Sequence, residues 1–191
     1  DEDVAGLEET LVHTLKQQGL SLSTAESCTG GMIAQRITSV SGASEVFGYG
    51  FVTYWAEAKT RLVGVQPEVI ERYNVVSAPV AAQMALGAAQ ASGSDIAVSV
   101  TGLAGPGGGD AVRPVGTVYL GAARGGTVYV QKLFVSRPDR ALVRARAAQA
   151  ALTLALRLAQ GKVPAHTKPL AAAQQQDEAA LAALNEAFLA E

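Results

Sequence analysis

Leu20–Gly31, LSLSTAESCTGG, is the stretch on which the reading of this chain turns. Leu20, Leu22 and, less clearly, Thr24 alternate as in a short strand. The polar turn Glu26-Ser27-Cys28-Thr29 follows, and Gly30-Gly31 then opens an apolar helix. Two hydroxyls, a thiol and a carboxylate therefore sit where a strand gives way to a helix. The first turn of a helix presents unpaired N–H groups and the positive end of its dipole, so such a junction favours an anion or a nucleophile.

Working outward, Val4, Leu7, Leu11 and Leu15 recur at helical spacing before Gly19 and predict an amphipathic first helix. Met32, Ile33 and Ile37 give the next helix its inner face, ending near Ser41-Gly42. Phe47–Tyr54, FGYGFVTY, reads as a strand whose glycines mark a bulge or a close backbone approach. A helix over Trp55–Val63 and a short one from Pro67 to Tyr73 come next. Ser77-Ala78-Pro79 then starts an Ala-rich helix that stops at Gly93. Ile96–Thr101, IAVSVT, is a buried strand emptying into GLAGPGGGD. VGTVYLGAA and TVYVQKLFV, separated by Arg124-Gly125-Gly126, predict an antiparallel hairpin. A long Ala/Leu/Arg helix runs from Arg137-Pro138-Asp139 to about Gln160. The sum is an α/β fold in three layers, a mixed β-sheet flanked by helices. One domain over 1–161 is expected, with 162–191 as a linker between Pro164 and Pro169 followed by a tail helix. Leu181, Leu184 and Phe188 give that helix an apolar face, docked on a partner or frayed.

Composition narrows the partners. With 191 residues and 49% of them apolar, one core suffices. A formal charge of −2 leaves no footprint for nucleic acid or an anionic membrane, so a small molecule is the expected ligand. Cys28 is the lone cysteine, which suits a reducing cytoplasm; no signal peptide and no membrane span are expected.

Chemistry is then a matter of elimination. The two histidines, His13 and His166, lie away from the glycine-rich turns, which argues against a Ser-His-Asp triad and a His-based metal site. A nucleophilic Ser27 needs another base. Of the lysines only Lys59 follows a strand end, close behind Tyr54, and burial can hold a lysine neutral near pH 7. Ser27, Lys59 and the Tyr54 hydroxyl form a consistent acyl-transfer set. The plainer alternative is that Ser27 caps a helix and Lys59 pairs with Glu57 or Glu26. Cys28 competes as nucleophile, in a set with Glu26 and Lys59, or is a small buried apolar residue. The loop Gly102–Gly109 lacks the Walker A lysine and the dinucleotide spacing, and remains a backbone-rich concavity able to hold a phosphate or an oxyanion. Arg140 and Arg144, one helical turn apart, could clamp a phosphate or form a solvated face.

TAESCTGG at 24–31, GFVTYWAEAK at 50–59, VTGLAGPGGG at 100–109 and PVGTVY at 114–119 resemble, in order and spacing over about residues 5–160, the CinA C-terminal domain family of nicotinamide-nucleotide amidases. The resemblance implies hydrolysis of nicotinamide mononucleotide (NMN) to nicotinic acid mononucleotide and ammonia, without metal or other cofactor. It implies Ser27 as nucleophile, Lys59 as base and Tyr54 beside them. Substrate contacts would come from Thr101, from Arg140 or Arg144, from the Gly102–Gly105 loop and from the turn of Cys28, Thr29, Gly30 and Gly31, whose N–H groups would meet the oxyanion. A homodimer is expected from the family's habit and the apolar tail. Trp55 and Ala56 depart from the family pattern at the pocket mouth, and the N-terminal molybdopterin-protein-like domain of full-length relatives lies outside this sequence, which is expected to be either the stand-alone type or an excised portion of a longer protein. The competing reading from another class is a module that holds a nucleotide in the same pocket without turning it over and serves a partner through its tail.

Overall fold

The computed structural model describes residues 6–190, so Val4 of the expected first helix lies outside the described residues. Six strands form one sheet in the order β2-β1-β3-β4-β5-β6. They are β1 (Leu22–Glu26), β2 (Phe47–Val52), β3 (Ile96–Gly102), β4 (Thr117–Arg124), β5 (Thr127–Phe134) and β6 (Lys168–Ala171). β1 lies parallel to β2 and β3, while β4, β5 and β6 continue antiparallel. The sheet is mixed, as the alternation of strands and helices with one hairpin implies.

Helices cover both faces. α1 (Leu7–Gln18), α2 (Met32–Thr38) and α6 (Arg140–Ala159) bury Leu11, Leu15, Ile33, Ile37 and Leu152 against Ile96, Val98, Val100 and Leu120. On the other face lie α3 (Ala56–Val63), α4 (Pro67–Tyr73), α5 (Ala78–Ser92) and α7 (Glu178–Leu189). The strand period of two explains the split: Ile96, Val98 and Val100 point to the first face, and Ala97, Ser99 and Thr101 to the second. Small residues on that second face let α5 approach closely. Ser99 Oγ donates to the Ala81 carbonyl at 2.6 Å, and a Cβ added at Gly121 would stand 2.6 Å from the same oxygen.

α5 also meets α3 without room to spare. A Cβ at Gly87 would fall 1.6 Å from the Val63 carbonyl oxygen, which is backbone and cannot step aside. Gly87→Ala is therefore expected to cost about 3 kcal/mol, at the upper end for overpacked cores, read as a lowered urea midpoint.

Two expectations change. β1 does not alternate: Leu22, Ser23, Thr24, Ala25 and Glu26 are all buried, because the strand lies between β2 and β3 with helices on both faces. The tail, expected as a linker and a helix, belongs to the sheet. Lys168–Ala171 pairs antiparallel with β5, and Leu181, Leu184 and Phe188 of α7 are buried within the same chain, Phe188 edge-on to Tyr119 at 5.8 Å. The apolar face that suggested a homodimer is thus used internally. In the β2–β1 ladder the register shifts between Leu22 and Ser23, whose partners are Phe47 and Tyr49, so Gly48 is the bulge residue.

Candidate active site

The order β2-β1-β3 creates a reversal: the chain leaves β1 through α2 toward β2 on one side, and reaches β3 on the other side by way of α3, α4 and α5. In open parallel sheets the crevice at such a switch point, beyond the carboxyl ends of the strands, is where ligands bind. Ser27 directly follows β1, and Thr101 and Gly102 end β3. A cavity of about 230 Å³ opens there, lined among others by Ser27, Cys28, Lys59, Thr101, Gly105 and Arg140.

Ser27 is held by its own N–H, which donates to the Val100 carbonyl at 3.0 Å and so ties the turn to β3. Its hydroxyl accepts from Lys59 Nζ at 3.0 Å. Lys59 is fully buried, and its amine also donates to the Thr53 carbonyl at 2.6 Å. Neither carboxylate considered for it is its partner. Glu57 faces Arg61 at 3.9 Å. Glu26 lies buried at the start of α2, where it accepts from Thr29 Oγ1 at 2.6 Å and from the N–H groups of Ile33 and Ala34 at 2.9 and 3.1 Å. That carboxylate is spent on orphan helix donors. Burial, with no carboxylate paired to it, lowers the Lys59 amine to about 8.

Cys28 is 6% exposed, and burial pushes its thiol up to about 11. A thiol held protonated is a poor nucleophile, so the helix-terminus effect expected for Cys28 is outweighed by desolvation. Tyr54 and Trp55 stand at the surface, Trp55 74% exposed as the residue before α3. The Tyr54 hydroxyl lies on the cavity wall and accepts from Arg140 Nη2 at 2.9 Å, so its hydrogen bond is with the arginine, not with Ser27 or Lys59. Arg140 Nη1 donates to the Gly105 carbonyl at 2.8 Å, joining the glycine loop to α6. Thr101 Oγ1 donates to the Val75 carbonyl at 2.8 Å. Arg144 does not line the cavity and donates instead to the Cys28 and Thr29 carbonyls; of the turn expected to touch substrate, Cys28 lines the cavity and Thr29, Gly30 and Gly31 do not.

Val75 and Val76, between α4 and α5, form a wall that residue types did not mark, whereas Leu103 and Ala104 line the cavity from within the expected Gly102–Gly109 loop. Arg113 holds that wall to the glycine loop, donating from Nε to the Val76 carbonyl at 2.8 Å and from Nη2 to the Tyr73 carbonyl at 2.7 Å. The exposed Asp110 carboxylate, kept below its usual range chiefly by the Arg113 N–H, folds the loop around that arginine.

Residues 4–159 match the CinA C-terminal domain profile. The chain belongs to that family. A CinA-like protein of Akkermansia muciniphila is 52% identical over 149 residues, covering 78% of this chain and 36% of that protein. This chain thus spans about a third of the length of the curated relatives it matches. Among solved structures, the competence/damage inducible protein CihA from Agrobacterium tumefaciens superposes with a TM-score of 0.77 at 41% identity, over 81% of this chain and 96% of that one. A CinA superfamily protein from Klebsiella pneumoniae gives 0.77 at 30% identity, over 81% and 96%. The family match ends where α6 ends, so β6 and α7 lie outside it. Among the described residues no helix is long and apolar enough to cross a membrane.

Proposed function

We propose that the chain is a serine amidase that hydrolyses the carboxamide of NMN to nicotinic acid mononucleotide and ammonia. The observation that carries this reading is the 3.0 Å contact between the Ser27 hydroxyl and a buried lysine amine without a carboxylate partner, at the wall of an open cavity. Neutral Lys59 takes the Ser27 proton as Oγ adds to the amide carbon. The protonated amine then gives that proton to the leaving nitrogen, the C–N bond of the tetrahedral adduct breaks, and ammonia departs to leave a serine ester. Water adds to the ester with Lys59 again as base, and the acid leaves as Ser27 regains its proton.

The oxyanion formed at each addition needs main-chain donors. The Gly30 N–H is engaged with the Ser27 carbonyl at 3.0 Å, and the Ser27 N–H with Val100, which leaves the turn's Cys28, Thr29 and Gly31 for this role. The cavity lining includes the Arg140 cation and no Asp or Glu, which suits a substrate carrying a phosphate. Arg140, on the α6 side, is the residue assigned to that phosphate.

Ammonia release from NMN, followed by a coupled glutamate dehydrogenase assay, is the direct test. Cys28→Ala is expected to retain turnover within about threefold, because a thiol raised to about 11 contributes neither attack nor proton transfer. Nucleotide binding in the absence of ammonia release would favour the binding-module reading instead.

A further inference from the structure

Arg144 lies one turn beyond Arg140 on α6, yet the two guanidinium groups do different work. Arg140 lines the cavity. Arg144 donates from Nε to the Cys28 carbonyl at 3.0 Å and from Nη2 to the Thr29 carbonyl at 3.1 Å. Both acceptors belong to the turn that follows Ser27. In a planar trans peptide the N–H points opposite to the C=O of the same unit. Holding the Cys28 carbonyl toward α6 therefore aims the Thr29 N–H away from α6. Holding the Thr29 carbonyl there sets the next peptide, whose Gly30 N–H closes on the Ser27 carbonyl at 3.0 Å. A cation on a carbonyl oxygen also polarises that peptide and strengthens its N–H as a donor. Gly30 takes the left-handed φ of +56 that this turn requires, a conformation that favours glycine.

We infer that Arg144 is a positioning residue for the oxyanion turn, acting through the Cys28–Thr29 and Thr29–Gly30 peptides, and not a ligand of the substrate's phosphate. The inference rests on the amidase reading for its kinetic signature but predicts a behaviour of the turn that is measurable without NMN. Arg144→Met keeps the aliphatic stem and removes both bonds. Its kcat for NMN deamidation is expected to fall about 30-fold while KM stays within about twofold, since an oxyanion donor acts mainly in the transition state. Arg144→Lys, able to reach one carbonyl, is expected to recover part of the loss. Arg140→Met should show the opposite split, KM rising more than kcat falls. A raised KM with unchanged kcat in Arg144→Met would overturn the assignment.

The second measurement is the rate at which phenylmethanesulfonyl fluoride labels Ser27, read by intact mass. In that reaction an Oγ–S bond forms, fluoride leaves and Lys59 takes the proton, with the sulfonyl oxygen placed where the oxyanion would be. Labelling about tenfold slower in Arg144→Met, partly restored in Arg144→Lys, supports the inference even if the wild-type chain releases no ammonia from NMN, an outcome that refutes only the amidase reading. Equal labelling rates in wild type and Arg144→Met, or a wild-type Ser27 that is not labelled at all, overturn it.

Discussion

Ser27→Ala is expected to remain folded, with a urea midpoint close to that of the wild-type chain, and to lose NMN deamidation by about a thousandfold or more. The two halves of that result have separate causes. The fold at this point is anchored by main-chain bonds, from the Ser27 N–H to Val100 and from the Gly30 N–H to the Ser27 carbonyl, and alanine keeps both. Among the described residues the hydroxyl itself bonds only Lys59 Nζ, at the edge of an open cavity where water can take its place. The chemistry has no substitute of that kind. The neighbouring Cys28 sulfur is packed toward Gly102, where an added Cβ would stand 3.2 Å from Sγ, and its thiol is held protonated by burial. Wild-type turnover in Ser27→Ala would move the nucleophile to Cys28 or elsewhere and would take the reading of Ser27 with Lys59 with it.

The β1-turn-α2 unit and the hairpin were legible because both are written in local chemistry: a buried strand ending in polar residues before Gly-Gly, and two β-rich runs flanking Gly125-Gly126. β6 was not. It is four residues, Lys168–Ala171, with a proline opposite Tyr129, and prolines in sheets are confined to edges, bulges and strand starts. Periodicity has nothing to count over so short a run, and only tertiary pairing with β5 makes it a strand. The site divides the same way. Ser27 and Lys59 were reachable by elimination, but residue types left Lys59 free to pair with Glu26 or Glu57. What separates them is where those carboxylates go, one into the donors at the start of α2 and the other to Arg61. Val75, Val76 and Thr53 escaped notice because two are plain apolar residues and Thr53 contributes its carbonyl, and a main-chain acceptor has no signature in a sequence. Arg113 was hidden for the matching reason, since what it holds are the carbonyls of Tyr73 and Val76.

Lys59→Met is expected to abolish turnover by about a thousandfold or more while leaving the protein at least as stable as wild type at pH 7. Burial lowers the amine from 10.5 to about 8, so the charged form is the one the fold disfavours. At pH 7 the folded chain carries that charge at a cost on the order of 3 kcal/mol relative to the unfolded chain, from the size of the shift. The same amine satisfies the Thr53 carbonyl, and leaving that acceptor unpaired costs about 1–3 kcal/mol, so the two effects nearly cancel at pH 7 with the balance toward methionine. The sign changes with pH. Below about 8 lysine is protonated in both states and the penalty is fully present; between about 8 and 10.5 the unfolded chain binds the extra proton and the folded chain does not, so wild-type stability rises relative to Lys59→Met. Above 10.5 the penalty is gone, only the lost hydrogen bond remains, and the wild type should be the more stable of the two. Urea titrations of both proteins from pH 7 to 11 check this crossing. Wild-type kcat/KM for NMN should climb over the same lower limb, as pH passes about 8 and the base becomes neutral. A flat profile between pH 6.5 and 9 together with a constant stability difference would mean that Lys59 titrates as an ordinary amine, and the proton of Ser27 would then need another destination.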